Sequence, residues 1–285
     1  MKIILFFFLL IPSLCLAGGW TQKRGGYYAK LSFSSFLTEE QFGIAGARQP
    51  LNSQFSNLRN AQFSDNSFYF YGEYGLVDWG TFILNTSYKN FSSTGFNSDL
   101  RQNYEHRARG PGDVYLGARW RLLALPFAVA VQPMMKIPVA DESTVIPLGT
   151  GAKDYEVRLQ IGAKAPLPVQ NYFTADVGYT WRGGEAFHDE IPYFAEFGVW
   201  AGAEVIVKVS LDGRKSARAL EAANPADSGN MNVLIQDQNF TRLWGGVIYH
   251  VSRKVQLSLE ASHVLSGKNT VAGRTIYVGM ALASP

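Results

Sequence analysis

The chain has 285 residues, with 26 Lys and Arg against 23 Asp and Glu, and a single cysteine, Cys15. The near balance of charge removes the electrostatic case for nucleic acid, and one cysteine cannot build a disulfide framework. Mean hydropathy is near zero and no long apolar run follows Ala17, which excludes a bundle of membrane helices but not a sheet that hides its apolar half by alternation.

In chain order, Met1-Lys2 is a minimal positive start, Ile3 to Leu14 is almost wholly apolar, and Cys15-Leu16-Ala17 ends in small residues. This pattern predicts a secretory signal peptide over residues 1–17, cut after Ala17, with one domain over 18–285. The apolar run is too short to span about 30 Å of hydrocarbon as an anchor helix. Leu14 stands where a lipidated cysteine needs a small residue, so Cys15 is not expected to carry lipid. Export without cysteine leaves stability to backbone pairing and packing.

Beyond that point the sequence alternates. Tyr27, Ala29, Leu31 and Phe33 interleave with Tyr28, Lys30, Ser32 and Ser34; Phe68, Phe70, Tyr74 and Leu76 with Tyr69, Tyr71 and Glu73. A turn at Asp78 leads to Thr81–Asn90. The clearest unit is Gly112–Ala140. Its first arm sets Val114, Leu116, Ala118, Trp120 and Leu122 against Tyr115, Gly117, Arg119 and Arg121. Its second arm sets Val129, Val131, Met135 and Ile137 against Ala128, Gln132 and Lys136. A strand sends successive side chains to opposite faces, so one face is apolar and the other charged, and only Leu123–Pro126 lies between the arms, enough for a tight hairpin. The rhythm continues through Asp154–Ala165, Asn171–Arg182, Pro192–Val199, Glu204–Leu211, Asn239–His250, Val255–Val264 and Arg274–Ala283.

About twelve segments result, most near the nine to eleven residues of a tilted membrane strand. Their connections alternate in kind. Those near Asp78, Ala124, Pro168, Gly202 and Ser252 are tight, whereas Leu37–Asn66, Phe91–Pro111 and Asp212–Gln238 are long and polar. In lipid every backbone N–H and C=O must pair within the protein, so a spanning sheet must close. The expectation is an all-β transmembrane, antiparallel, up-and-down barrel in a Gram-negative outer membrane, with both termini periplasmic and the long connections outside. A soluble lipocalin-like barrel would put the apolar face inside, where twelve strands leave too wide an interior for side chains to fill. The apolar face then meets lipid, and Lys30, Glu73, Arg119, Arg121, Lys136, Glu156, Arg158, Lys164, Asp176, Arg182, Lys208 and Glu260 face the lumen. Trp120, Trp181, Tyr88 and Tyr249, near segment ends, fit interfacial girdles. Pro133 and Pro138 weaken the fifth strand, because proline cannot donate to a ladder.

The stretch PGDVYLGARWRLL…AVAVQPMMKIPVAD, with Gly112-Asp113, Gly117, Arg119 and Ile137-Pro138, resembles outer-membrane proteins of the MetA-pathway phenol-degradation family, themselves similar to FadL-type transporters. YGEYGLVDWGTFILNTSY and SGKNTVAGRTIYVGMAL resemble the second and last hairpins of that family. The resemblance implies a channel or facilitator for small hydrophobic or aromatic compounds, with outer-membrane lipid, such a solute and the barrel-assembly machinery as partners, and a sideways exit of solute through the wall. Two departures stand out: the last strand lacks a terminal aromatic, and the stretch before Tyr27 is too short for the long hatch of FadL-type transporters.

Other chemistry is thinly represented. His250-Val251-Ser252 resembles the His-x-Ser of outer-membrane phospholipases, but Val264 stands where an Asn would complete it and the pair falls at a tight turn. His106, His188 and His263 lack ligand spacing for a metal. No catalytic residue, metal or cofactor is expected. Arg101, Glu105, Arg107 and Arg109 form a charged run, either a solvated loop or a site for outer-leaflet phosphates. The alternative to a channel is a barrel with a structural or surface-interaction role.

Overall fold

The structure is a computed structural model that describes residues 18–51, 53, 57–184, 187–220 and 237–284. The proposed signal peptide, residues 1–17, lies outside the described residues. The strands are β1 (Tyr27–Phe42), β2 (Arg48–Pro50), β3 (Leu58–Asp65), β4 (Phe68–Val77), β5 (Gly80–Asn97), β6 (Gln102–Pro111), β7 (Val114–Leu123) and β8 (Ala128–Ile137). They continue as β9 (Asp154–Ala163), β10 (Asn171–Trp181), β11 (Glu190–Trp200), β12 (Val205–Ser216), β13 (Asn239–His250), β14 (Val255–Lys268) and β15 (Thr270–Ala283).

Every pairing is antiparallel, β7 to β15 pair in sequence, β1 pairs β2, β3 and β4, β5 pairs β3, β4, β6 and β7, and β15 pairs back onto β1 from Tyr28–Ala283 to Phe42–Thr270, which closes the sheet. β3 and β4 share one stave, as do β6 and β7, so the wall is a twelve-stranded barrel. Closure removes the edge that lipid could not satisfy. No helix among the described residues is long and apolar enough to cross a membrane.

The alternation sorts as the sequence dictates. Leu31, Phe33, Leu159, Val177, Val207, Val209, Leu259 and Val278 are exposed, while Ser34, Glu73, Arg119, Gln132, Lys136, Thr174, Glu196 and Glu260 are buried. A protein whose large apolar side chains point outward and whose charges point inward has its apolar solvent outside. Trp120, Trp181 and Tyr249 stand outward near strand ends, and Tyr88 stands outward at the middle of β5, which runs on past it to Asn97.

Two regions expected to be polar loops are instead strand. β1 runs on to Phe42, β5 to Asn97, and β2, β3 and β6 lie within Leu37–Asn66 and Phe91–Pro111. Once the wall fixes the register, the ladder carries on past the membrane, and alternation survives in a polar setting: Phe36, Phe63, Phe91 and Ala108 are buried, with Leu37 and Arg107 opposite them exposed. Likewise β12 extends to Ser216 and β14 to Lys268. Residues 221–236, the centre of the third expected loop, lie outside the described residues.

Candidate functional site: the lumen

Inward positions on β4, β7 and β8 build the first cluster. Arg119 is 3% exposed. Its Nη1 lies 3.0 Å from Glu73 Oε1, its Nε donates to Gln132 Oε1 at 3.0 Å, and its Nη2 donates to Tyr71 Oη at 3.3 Å. Glu73 also accepts from Tyr71 and, at 2.6 Å, from Gln22 Nε2. On β9 and β10, Arg158 donates to Glu156 at 2.5 Å and to Asp176 at 2.9 Å. Nearer the long connections, Lys136 contacts Asp154 at 2.5 Å, Arg182 contacts Asp154 at 3.3 Å and Glu190 at 2.5 Å, and Arg214 reaches Glu190 at 3.1 Å. On the opposite wall Lys208 sits between Glu196 (3.0 Å) and Glu260 (2.7 Å), and Lys30 also pairs with Glu260. Buried charges are tolerable only when paired and hydrogen-bonded. Here the partners stand on the same strand, on neighbouring strands or one strand apart, so the ion pairs follow the wall.

Lys164 and Pro138 stand outside the strands expected to hold them, and Arg121 keeps the face of Arg119 at the end of β7. Lys164 lies beyond the end of β9, exposed in the turn before β10, because the ladder stops one residue earlier. Arg121 stands at the short-turn rim, its N–H on the Trp79 carbonyl at 2.9 Å, with no ion pair among the described residues. Pro138 follows β8 instead of lying in it. Pro133 does interrupt a ladder: β7–β8 pairing runs from Val114–Ile137 to Gly117–Met134 and resumes at Trp120–Val131. Pro192 does the same on β10–β11, which skips from Val177–Tyr193 to Thr180–Glu190.

The sequence did not show what occupies the two mouths. At the short-turn end, residues 18–26 line the inner wall from β4 round to β10. Gly25 N–H bonds Gly75 O at 2.8 Å, Gln22 N–H bonds Thr81 Oγ1 at 2.8 Å, and Trp20 O accepts from Arg119 at 3.0 Å. Trp20 lies over Gly162, where any side chain would collide with its ring, and Gly18 lies against Thr174 at φ +102°. Glycine fits there because it alone tolerates both the contact and the angle. The stretch before Tyr27 is short, yet it enters the lumen.

At the other end the connection between β8 and β9 folds inward. Ile146 and Leu148 are fully buried against Phe36, Phe63, Phe91, Ala61 and Ala108. Lys89 Nζ donates to Leu148 O at 2.5 Å, Lys136 Nζ to Thr150 at 2.6 Å, and the Val139 and Ala140 N–H groups donate to Asp113 Oδ1 at 3.2 Å. The lumen holds a polar cavity of about 670 Å³, walled by Arg119, Glu156, Arg158, Asp176 and Arg214, and a second of about 340 Å³ beside Tyr28, Tyr172, Phe194, Trp244 and Lys208 that reaches His250 and Gln256 at the short-turn end.

Several lumen residues escaped the sequence argument. Glu196 was legible, since it alternates with Ala195 and Phe197. Glu190 and Asp212 were not, because they fall in segments expected to be loops, whereas Arg242 alternates with Leu243 inside the expected strand Asn239–His250. Trp244, with Nε1 on Asp212 at 2.5 Å, points inward against the usual outward preference for a membrane aromatic. His250 and Ser252 do not bond each other: Ser252 Oγ accepts from Lys254 N and Val255 N at 3.2 and 3.1 Å, as a turn residue does. Among the described residues no three His, Cys, Asp or Glu side chains could hold a metal ion.

A closed barrel with lipid-compatible walls and a charge-paired interior defines the class of outer-membrane β-barrel proteins. The chain belongs to the family described by the MetA-pathway of phenol degradation, whose model matches residues 57–213, more than half of the sequence. Its structure is similar to that of the COG4313 outer membrane channel from Pseudomonas putida F1, with a TM-score of 0.67 at 12% identity over 95% of this chain and 100% of that one. The NanC porin superposes with a TM-score of 0.51 at 7% identity over 89% and 98% of the two chains. A Pseudomonas aeruginosa FadL homologue reaches a TM-score of 0.42 at 7% identity over 90% and 89%. At these identities the likeness to the first two is one of fold. No curated protein matches the sequence.

Proposed function

We propose that the protein is a passive outer-membrane channel or facilitator for small, uncharged hydrophobic or aromatic compounds. The observation that carries this is the pairing of the lumen charges around two cavities, one of them walled by Tyr28, Tyr172, Phe194 and Trp244. A wall whose charges neutralise one another offers an ion no compensation for its lost hydration, whereas a neutral aromatic solute meets ring faces and loses little. We place the long-loop end outside and both termini in the periplasm, because short turns face the cell interior in such barrels. The lumen residues named above, Lys30, Glu73, Arg119, Lys136, Glu156, Arg158, Asp176 and Arg182, form the walls of the path. The interrupted ladder at Pro133 supports a sideways route into lipid.

The two filled mouths favour a second reading, a barrel with a structural role that does not conduct. Uptake of a panel of solutes by liposomes with and without the purified protein separates the two. Entry of small neutral aromatics supports the channel; absence of entry of every solute leaves the structural barrel.

A further inference from the structure

The charged run on β6 occupies a defined place on the outer wall. The exposed side chains Val278, Phe33, Phe68 and Tyr88 form one cross-strand row over β15, β1, β4 and β5, ending at Pro111 on β6. Phe33 and Phe68 touch, with ring centroids 5.1 Å apart. This row is an aromatic girdle at the long-loop end. One step beyond it on the same face, Asn90 pairs with Arg109. Two steps beyond, a continuous row runs Arg274–Leu37–Ser64–Ser92–Arg107.

Same-face neighbours on a strand are roughly 7 Å apart, and strand tilt reduces this to about 5 Å of height per step. Arg109 therefore stands about 5 Å and Arg107 about 10 Å above the girdle, in and just above the headgroup layer, which is several ångströms deep on each side of the hydrocarbon. Arg109 makes no hydrogen bond or ion pair among the described residues, and Arg107 pairs only with Glu105, at 2.7 Å, with both side chains exposed. Beside the arginines the side chains are short (Asn90, Ser92, Ser64), which leaves their guanidinium groups uncovered on that side, and the row then passes the exposed Leu37 to a third cation, Arg274.

We propose that this outward face of β5 and β6 docks the phosphorylated headgroup of an outer-leaflet lipid, with Arg107 and Arg109 as its phosphate ligands. Guanidinium groups bind phosphate bidentately, and the apolar girdle directly below takes the acyl chains of the same molecule. The proposal rests on the long-loop end facing outside. Its test does not depend on that orientation.

Detergent-folded protein is mixed with diphosphorylated lipid A or with its dephosphorylated form, and retained lipid is measured by native mass spectrometry. Folding is checked by heat-modifiable gel mobility. The diphosphorylated lipid should be retained preferentially. R107A/R109A, which removes both phosphate ligands, should lower its retention at least tenfold, with R107Q/R109Q replacing it if the alanine pair fails to fold. R59A/R101A, at the hairpin tip, should retain the lipid. Equal retention of the two lipids, or wild-type retention by the folded double variant, overturns the proposal. Complete displacement by millimolar inorganic phosphate would mark an ion site and overturn the lipid assignment.

Discussion

Replacing Arg119 with Met tests whether the lumen charges brace the barrel. From sequence alone Arg119 borders a polar lumen, and its loss is expected to be far milder than placing a charge on the lipid face. The structure changes that expectation. Arg119 and Glu73 are 3% and 5% exposed and 3.0 Å apart. At an effective dielectric constant near 20 their attraction is roughly 5 kcal/mol, largely offset by desolvation while the pair is intact. Removing one partner exposes that desolvation cost, typically about 3–5 kcal/mol. Glu73 would keep Tyr71 and Gln22 as donors, each worth about 1 kcal/mol, so the expected loss is roughly 1–3 kcal/mol. R119M also releases Trp20 O. The assay is denaturant unfolding in lipid vesicles followed by tryptophan fluorescence, as a double-mutant cycle with E73Q. The double variant should be less destabilised than the sum of the singles, because Glu73→Gln removes the stranded charge. A cost below about 1 kcal/mol for R119M, or strict additivity, refutes the argument.

Four further outcomes are expected. Leu159→Arg, at an outward position 54% exposed, should lose about 2–4 kcal/mol and fold poorly into vesicles; wild-type yield would mean the face assignment is wrong. Gly162→Val should displace Trp20 and raise single-channel conductance while gel mobility stays that of a folded barrel; unchanged conductance would show that residues 18–26 are no barrier. Pro133→Ala restores a ladder donor, so it should raise the unfolding midpoint and slow hydrophobic uptake; faster uptake would exclude a route at that seam. Epitope tags at Asp99 should be labelled on intact cells and tags at Gly202 should not, and the reverse pattern would invert the topology.

The period-two pattern determined the spanning strands, their number and the division of faces, because those depend only on the alternation of side chains along a strand and on the need to satisfy every backbone group in lipid. The tight turns at Asp78, Gly202 and Ser252 were legible for the same reason: nothing but a hairpin fits between two such segments. Charges placed two apart, such as Glu156 and Arg158, could be assigned inward, but not paired. Pairing depends on register between strands far apart in sequence, as in Lys30 with Glu260 or Arg119 with Glu73. Tertiary structure alone decided that Lys164 stands outside the ladder, that Arg121 sits at the rim with no ion pair among the described residues, that β3 and β6 continue the wall where composition suggested loops, and that Trp20, Ile146 and Leu148 turn into the lumen. An irregular segment inside a barrel carries no periodicity of its own. Its place is set by the space the closed wall leaves, by Gly162 beneath Trp20, and by the phenylalanines beneath Ile146 and Leu148.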